Sequence, residues 1–387
     1  MNILYVGPFS FPSSYANSLR VLGMVEALTS QGHDVTICGG MLAAEQASSK
    51  TAYSVHPLNE YEAGLFSTVH PGIRGLFLGD VTRRWLESLE AQPDAVILYG
   101  THLGYLLRLL PYCRKRKIPL ILDVVEWYDP RHLPGGVLGP FAVSNELAMR
   151  YWAKKANGMF VISSYLQRYY DDAGCRTLRI PPIFTDVPSV CGSADDLGDA
   201  LNLCYIGSPG KKESMNAIFE GLRLLKEKGI AFTMHVVGLT VEEFSKDFDR
   251  KLVDAAGGND SVKFYGRKEN EDARNLLRSC DFLLLLRKDL RVTRAGFPSK
   301  VAESLRLGVP VIANLSSDMH EFLKDGENGF VAAAPTGVEL AKAIARAKSL
   351  SRTQLSEMKE KAQKTAESSF SVAAHAARIS DFLSEMT

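Results

Sequence analysis

The sequence predicts an α/β protein of two successive doubly wound domains, and three observations carry that prediction. The chain has 387 residues, more than a single core of ordinary size needs. Short apolar runs alternate with amphipathic helical stretches from the first residues onward, which is the rhythm of parallel βαβ units. That rhythm breaks once, between Ile180 and Gly198, and then starts again. The composition, 46% hydrophobic and 23% charged, is that of an ordinary globular protein, and a net charge of +1 carries no nucleic-acid footprint. The six cysteines are scattered without a C-x-x-C pair, so reduced thiols are expected rather than a zinc or redox motif. Gly7-Pro8 ends the first apolar run too early for a secretory signal, and no apolar run reaches the ~18 residues of a membrane span. A cytoplasmic protein is expected.

Element by element, Asn2–Val6 reads as a buried strand and Pro8 to Ser14 as a loop. Leu19, Leu22, Val25, Ala27 and Leu28 give residues 16–30 a helical period, and Gly32 ends that helix before a strand at Val35–Cys38. Further strands are expected at Ala95–Tyr99, Pro119–Val125 and Gly158–Ile162, with helices over residues 102–117, 141–156 and 163–173. Ser163 or Ser164 suits the N-cap of the last. The second series has strands at Leu201–Ile206, Phe232–Val237, Val262–Tyr265, Phe282–Leu286, Val309–Ala313 and Gly329–Val331. Its helices are expected over 212–228, 241–256, 269–279, 299–307 and 337–349, and a final helix over 372–386.

Several stretches carry chemistry. Tyr205-Ile206-Gly207-Ser208-Pro209-Gly210-Lys211-Lys212-Glu213 joins a strand to a helix. Its glycines allow close approach to a ligand, and the following helix N-terminus favours negative charge, to which Lys212 adds a full positive one. Residues 294–303, Arg-Ala-Gly-Phe-Pro-Ser-Lys-Val-Ala-Glu, repeat the arrangement with Lys300 and one helical acid, Glu303. In the first series Glu126, with Trp127 and Tyr128, follows a buried strand, the usual place for an α/β site. His102 follows another strand, and His132 sits in a loop with Pro134-Gly135-Gly136. Asp247-Phe248-Asp249 matches a D-x-D metal motif but falls within an expected helix, where residues two apart diverge. The run Arg114-Lys115-Arg116-Lys117 reads either as a solvated helix end or as a contact for anionic headgroups.

Together the 205–213 loop and the 294–331 stretch, with Phe297-Pro298-Ser299-Lys300-x-x-Glu303 and Asp325-Gly326-Glu327-Asn328-Gly329, resemble the donor-binding half of the retaining glycosyltransferases of family 4. The resemblance implies the GT-B fold, two Rossmann-like domains with an interdomain cleft. It implies an acceptor-side domain over 1–184 with the terminal helix 371–387 packed back on it, and a nucleotide-sugar domain over 185–370. Gly207, Ser208, Arg267, Arg287, Gly296, Phe297, Ser299, Lys300 and Glu303 then become donor-binding residues, and Lys212 and Glu126 catalytic ones. Asn17, Arg20, Trp127 and His132 are assigned to the acceptor. The chain departs from the family at two places: Ser208 stands where an arginine is usual, and Ala295 where the first of two glutamates would fall. The implied activity is retaining sugar transfer from a nucleotide-diphosphate sugar to a glycan or lipid-linked acceptor in surface polysaccharide synthesis. It uses no metal and no cofactor, with peripheral contact at the inner face of a membrane and no nucleic-acid partner. A partner subunit lacking activity and a sugar-nucleotide epimerase are the alternatives.

Overall fold

The computed structural model describes residues 1–11, 16–41, 52–60, 74–184 and 200–387. Ser13, Ser14 and Tyr15, Cys191, and the expected linker from residue 185 to Gly198 lie outside the described residues. The chain divides into two compact units, Met1–Thr185 with Arg294–Phe297 and Ser371–Thr387, and Asp186–Thr293 with Pro298–Phe370.

Among the described residues the first unit is built on seven parallel strands: β1 Asn2–Ser10, β2 Asp34–Met41, β3 Ser54–Val55, β4 Ala95–Tyr99, β5 Leu120–Val124, β6 Gly158–Val161 and β7 Thr177–Arg179. Their order is β3-β2-β1-β4-β5-β6-β7. Strands β4, β5 and β6 are apolar almost throughout because helices cover both faces of a parallel sheet. On one face Ile3, Tyr5, Ile37, Ile97, Ile121 and Phe160 meet Val21, Met24 and Leu28 of helix Ala16–Ser30. Ile379, Phe382 and Leu383 of the terminal helix Val372–Ser384 close the same core. Helix Ala16–Ser30 lies so close to the chain after β7 that a Cβ on Gly23 would sit 2.3 Å from the Ile183 carbonyl oxygen.

Within this core lies an ion pair. Arg20, only 6% exposed, sends Nε and Nη2 to the two oxygens of Asp123 at 3.1 and 2.9 Å. Its Nη1 donates to the Ile180 carbonyl at 3.1 Å and to that of Pro181, while Tyr5 donates its hydroxyl to Asp123 at 2.6 Å. Arg20, expected to face an acceptor, is therefore corrected to a core residue. Its donors are spent on tying helix Ala16–Ser30 to β5 and to the segment after β7. A buried charge is tolerated only when paired and hydrogen-bonded in this way.

Among its described residues the second unit has six parallel strands: β8 Leu201–Ile206, β9 Phe232–Val237, β10 Val262–Phe264, β11 Phe282–Leu285, β12 Val311–Ala313 and β13 Gly329–Val331. Their order is β10-β9-β8-β11-β12-β13. Helix Met215–Glu227 begins three residues after the expected start, because Ser214 N donates to the Leu286 carbonyl at 2.8 Å and Lys288 N to that of Lys212 at 3.0 Å. The helix expected over 241–256 breaks in two. Val241–Asp247 starts from a Thr240/Glu243 capping box, and Asp249 accepts from Lys251 N at 3.0 Å to cap Arg250–Ala255. Likewise the helix expected over 141–156 is helical over Pro140–Leu147, then a π turn over Ala148–Trp152 and a 3-10 turn over Ala153–Lys155. Ser163 is an N-cap, accepting from Leu166 N at 3.3 Å.

The longest helix among the described residues, Arg352–Phe370, falls outside the elements expected from the sequence. Its buried apolar positions, Leu355, Met358, Ala362, Ala366 and Phe370, keep helical spacing, but two are alanines and the rest of the segment, buried Gln363 included, is polar. Only packing against helix Ser299–Arg306 makes that stripe apolar enough to matter.

Candidate functional site

In the second unit the strand order reverses at β8 and β11, and doubly wound sheets take ligands outside the carboxyl ends of strands at such a reversal. The chain leaves β8 at Gly207 with φ 106° and β9 at Gly238 with φ 105°. A Cβ on Gly207 would meet Lys300 Cε at 2.7 Å, and one on Gly238 would meet the Gly207 carbonyl carbon at 2.7 Å. Glycine is needed at both, by conformation and by space. Between them the backbone brings Lys300 over the Tyr205 ring, 4.6 Å from its centre. Lys300 Nζ donates to Glu213 Oε1 at 2.8 Å and to the Tyr205 hydroxyl at 2.8 Å, and that hydroxyl donates to Glu213 Oε2. Arg287, buried just past β11, bridges to Glu213 through its backbone, and Asn314 holds its N–H and carbonyl at 2.8 and 3.0 Å.

The electrostatics of this crevice are one-sided. Burial works against the charge on Glu213, but the Lys300 ammonium, the Tyr205 hydroxyl and, to a smaller extent, Lys212 together keep the carboxyl below its usual range. Lys300 itself is pulled down by burial, and the positive charges of Lys212 and Arg287 add to that. Lys300 and Lys212 thus act on the Glu213 carboxylate while Lys212 and Arg287 act on Lys300, a clustering of positive charge that a polyanion would relieve.

The other expected donor residues are distributed around this point. Ser208 is exposed and Lys212 half-buried on the β8 loop. Arg267 is exposed beyond β10, on a turn whose Gly266 exchanges hydrogen bonds with Gly238 and Leu239 at 2.7 and 3.0 Å. Ser299 and Lys300 open helix Ser299–Arg306, whose N-cap position is held by Pro298 with no side-chain cap. Glu303 lies one turn on, its Oε1 3.1 Å from Arg274 Nε. Gly296 and Phe297 are buried, and here the expectation of one continuous donor segment needs correcting. Arg294–Phe297 groups with the first unit, where the Ala295 carbonyl accepts from Ser163 Oγ at 2.6 Å. Asp247 and Asp249 of the D-x-D sequence do not share one helix as expected: Asp247 ends one helix and Asp249 caps the next. Among the described residues no three His, Cys, Asp or Glu side chains converge on a metal-sized site.

In the first unit the reversal lies at β1 and β4. Outside the carboxyl ends of β4 and β5 is a cavity of about 410 Å³, lined by Tyr99, His102, Glu126, Tyr128, Phe141 and Asn145 among others. Glu126 hydrogen-bonds the Tyr128 side chain, and burial followed by this carboxylate raises the Tyr128 phenol above its ordinary range. Burial lowers His102 to about 4, so its imidazole is neutral at neutral pH. A carboxylate, a neutral imidazole and two phenols on apolar walls suit recognition of hydroxyl groups. Trp127 does not share the cavity. It is 2% exposed, packs on Tyr165 and Tyr169, and donates Nε1 to Glu146 at 3.1 Å, so its assignment to the acceptor is corrected to a packing role. His132 is half-buried in a turn pinned by Asp129, and Asn17 is half-buried with its Oδ1 on Ser18 N at 2.8 Å.

The neutral His102 has a measurable consequence. Between pH 6.5 and about 4 the unfolded chain takes up a proton that the native imidazole refuses. Its contribution is therefore fully present above pH 6.5 and is lost as pH falls toward 4, by at most about 3 kcal/mol. His102→Gln is expected to flatten this part of the stability profile. Denaturant titrations at pH 4.5 and 7.5 check it, and equal acid losses for both proteins would place the imidazole in solvent.

Residue-type reasoning missed Tyr205 and Glu213 as site residues. Glu213 is the last residue of the Tyr205-to-Glu213 stretch, but a carboxylate beside an expected anion site reads as unfavourable until Lys300 is seen against it.

Comparison with known proteins places both halves. Residues 18–183 match the family model described as a glycosyl transferase 4-like domain, and residues 198–366 that of glycosyl transferases group 1. The putative colanic acid biosynthesis glycosyltransferase WcaL of Escherichia coli is 25% identical over 175 residues, 44% of this chain and 41% of that protein. The amylovoran biosynthesis glycosyltransferase AmsK of Erwinia amylovora is 26% identical over 160 residues, covering 39% and 37%. The matched stretch thus spans about two fifths of these relatives' own lengths. Among solved structures, Anabaena HepE in complex with UDP and glucose aligns over 100% of both chains with a TM-score of 0.70 and 17% identity. WaaG, a glycosyltransferase of lipopolysaccharide biosynthesis, aligns over 97% and 99% with 0.69 and 14%. At these identities the likeness is one of fold, GT-B.

Proposed function

We propose, for a chain that belongs to the group 1 glycosyl transferases with a 4-like first half, that it moves a sugar from a nucleotide-diphosphate donor to an acceptor hydroxyl, with retention and without a metal ion. The observation that carries this reading is the crevice at the β8–β11 reversal, where Lys300 is held on Glu213 and Tyr205 and the charges of Lys212 and Arg287 act on the same ammonium. Fixed cations aimed at a leaving diphosphate perform the charge stabilisation that a metal ion otherwise supplies. Gly207 and Gly238 leave room for the diphosphate, Ser208 and Ser299 flank it, and Arg267 offers a face for the base. The bond from the sugar C1 to the diphosphate breaks, the bond from C1 to the acceptor oxygen forms on the same face, and the acceptor proton passes to the departing phosphate oxygen. No protein nucleophile is required. Glu126, with His102 and Tyr128, orients the acceptor or the transferred sugar through its hydroxyls. His132 and Asn17 are assigned to the outer part of the acceptor.

HepE complexes with UDP-glucose support a sugar nucleotide as donor, and relatives named for colanic acid and amylovoran biosynthesis support a surface glycan, on a glycan or lipid carrier, as product. No helix among the described residues is long and apolar enough to cross a membrane, and we assign the enzyme to the cytoplasm with peripheral contact at the membrane's inner face.

The test is a thermal-shift screen of nucleotide sugars, in which a ligand at ~100 times its Kd adds roughly 2.7 kcal/mol, followed by transfer assays in EDTA. Absence of any nucleotide effect would favour an inactive partner subunit, and activity restored only by Mn²⁺ or Mg²⁺ would remove the metal-free mechanism. For Glu303, assigned to the ribose hydroxyls, Glu303→Ala is expected to weaken binding of free UDP or GDP by about 1–3 kcal/mol. Calorimetry with the nucleotide alone measures this, and an unchanged affinity would leave the acid as only the partner of Arg274.

A further inference from the structure

Glu213 brings into the β8 crevice a charge that opposes a bound anion, and the fold fixes it there. Its side chain is 5% exposed, against 22% for Lys300. Backbone clamps hold it from both sides. Lys288 N donates to the Lys212 carbonyl at 3.0 Å and Ser214 N to the Leu286 carbonyl at 2.8 Å. Between them Glu213 bridges to Arg287, and its own N–H donates to the Gly210 carbonyl at 3.2 Å. Both carboxylate oxygens are engaged, Oε1 by Lys300 Nζ and Oε2 by the Tyr205 hydroxyl. An acid on a mobile surface loop could swing away from an arriving anion. This one cannot leave without stranding buried polar groups.

Lys300 is equally constrained. Its stem passes Gly207 so closely that a Cβ there would lie 2.7 Å from Cε, and its ammonium sits 4.6 Å from the centre of the Tyr205 ring. An ammonium has three N–H donors. Two of them go to Glu213 Oε1 and to the Tyr205 hydroxyl, each at 2.8 Å, which leaves the third for a ligand oxygen. Burial disfavours the charge on Lys300, Glu213 favours it, and Lys212 and Arg287 disfavour it again. The carboxylate therefore has two opposite effects. It keeps the ammonium charged and in place, and it repels any phosphate that the ammonium attracts.

We propose that Glu213 is a fixed internal counter-ion that holds Lys300 in position between turnovers and speeds release of the nucleoside diphosphate product. This rests on the reading of the crevice as the diphosphate site. Groups that stabilise charge developing on a leaving diphosphate also bind the fully charged product, and turnover then waits on its departure. A buried carboxylate behind the key ammonium limits that hold. Glu213 acts through Lys300 and through its field, so it is a positioning residue rather than a catalytic one.

The experiment compares the full-length wild type with Glu213→Gln, which keeps the shape and an acceptor for Lys300. Calorimetry and stopped-flow displacement use inorganic pyrophosphate, UDP and GDP as probes. Glu213→Gln is expected to bind pyrophosphate, and whichever nucleotide the wild type accepts, about tenfold tighter, through slower dissociation. Uridine and guanosine carry no phosphate and are expected to bind both proteins alike. In transfer assays kcat is expected to fall several-fold behind a burst of a single turnover, because release becomes limiting. Glu213→Asp keeps the charge and is expected to stay within about threefold of the wild type. Lys300→Met with Glu213→Gln is expected to bind pyrophosphate several-fold tighter than Lys300→Met alone, a comparison that serves if the single Gln variant proves unstable. Melting temperatures monitor folding throughout.

A purely structural role for Glu213 predicts the opposite sign, since a loosened Lys300 binds phosphate less well. Unchanged or weaker binding by Glu213→Gln, beside a wild type that binds, would overturn this proposal and leave the transferase reading standing. Asp and Gln variants that shift alike would also overturn it, because charge would not be the cause. If neither the wild type nor Glu213→Gln binds any of the three probes, the crevice is not a diphosphate site and both readings fall.

Discussion

Lys300→Ala is expected to lower kcat by about 10²–10³, the loss typical for one preorganised group that stabilises developing negative charge. The basis is position: Lys300 Nζ is held at 2.8 Å by both Glu213 and Tyr205 at the carboxyl edge of β8, so its charge is in place before any ligand arrives. Lys212→Ala is expected to fall in the same range, because Lys212 contributes to the same field. Removing Lys300 alone also strands a buried carboxylate, so stability has to be separated from catalysis. The pair Lys300→Met with Glu213→Gln removes both charges and is expected to regain most of the melting temperature while remaining slow. Steady-state kinetics with each variant at matched folded fraction decides the matter. If Lys300→Ala turns over within a few-fold of the wild type, the crevice is a structural ion pair and the leaving group is stabilised elsewhere.

The second large effect is on stability. Asp123→Ala is expected to destabilise the first unit by about 3–5 kcal/mol, the range for breaking a buried ion pair from one side. Asp123 is fully buried, takes two bonds from Arg20 and one from Tyr5, and leaves a guanidinium without its counter-charge when removed. Replacing both partners, Arg20→Met with Asp123→Leu, is expected to recover much of the loss, since well-packed apolar groups often match a buried pair. Denaturant unfolding of the single and double variants measures it. A loss under about 1 kcal/mol for Asp123→Ala, the range of exposed pairs, would show that water reaches the site.

The case of Arg20 shows how the two levels of information differ. From the sequence Arg20 is a cation on the first turns of a helix that follows a buried strand, and both solvent and a ligand are natural partners for it. What makes it a core residue is Asp123, 103 positions away on β5, and the carbonyls of Ile180 and Pro181, which the sheet order brings to the same spot. The same holds for Glu213 and Lys300, 87 residues apart, and for Trp127, whose partners Tyr165 and Tyr169 lie on a later helix. Helix Arg352–Phe370 was overlooked for a related reason, as an alanine stripe acquires meaning only from the helix that packs against it.

What the sequence determined by itself is the part that depends on local period and backbone freedom. The strands at Asn2, Ala95, Leu120, Leu201 and Phe282, the helices between them and the glycine closing β8 follow from side-chain alternation and from φ/ψ space, which neighbours along the chain set. So do the two separate α/β sheets and the places where ligand-binding loops leave them. Tertiary structure alone decided which charges meet, which aromatic rings are buried, and that Arg294–Phe297 groups with the first unit while Ser299 to Glu303 stays in the second. The physical reason is that a side chain's partners are fixed by strand order and crossover packing, which join positions a hundred residues apart, whereas the hydrophobic period of each segment says only that it must pack, not against what.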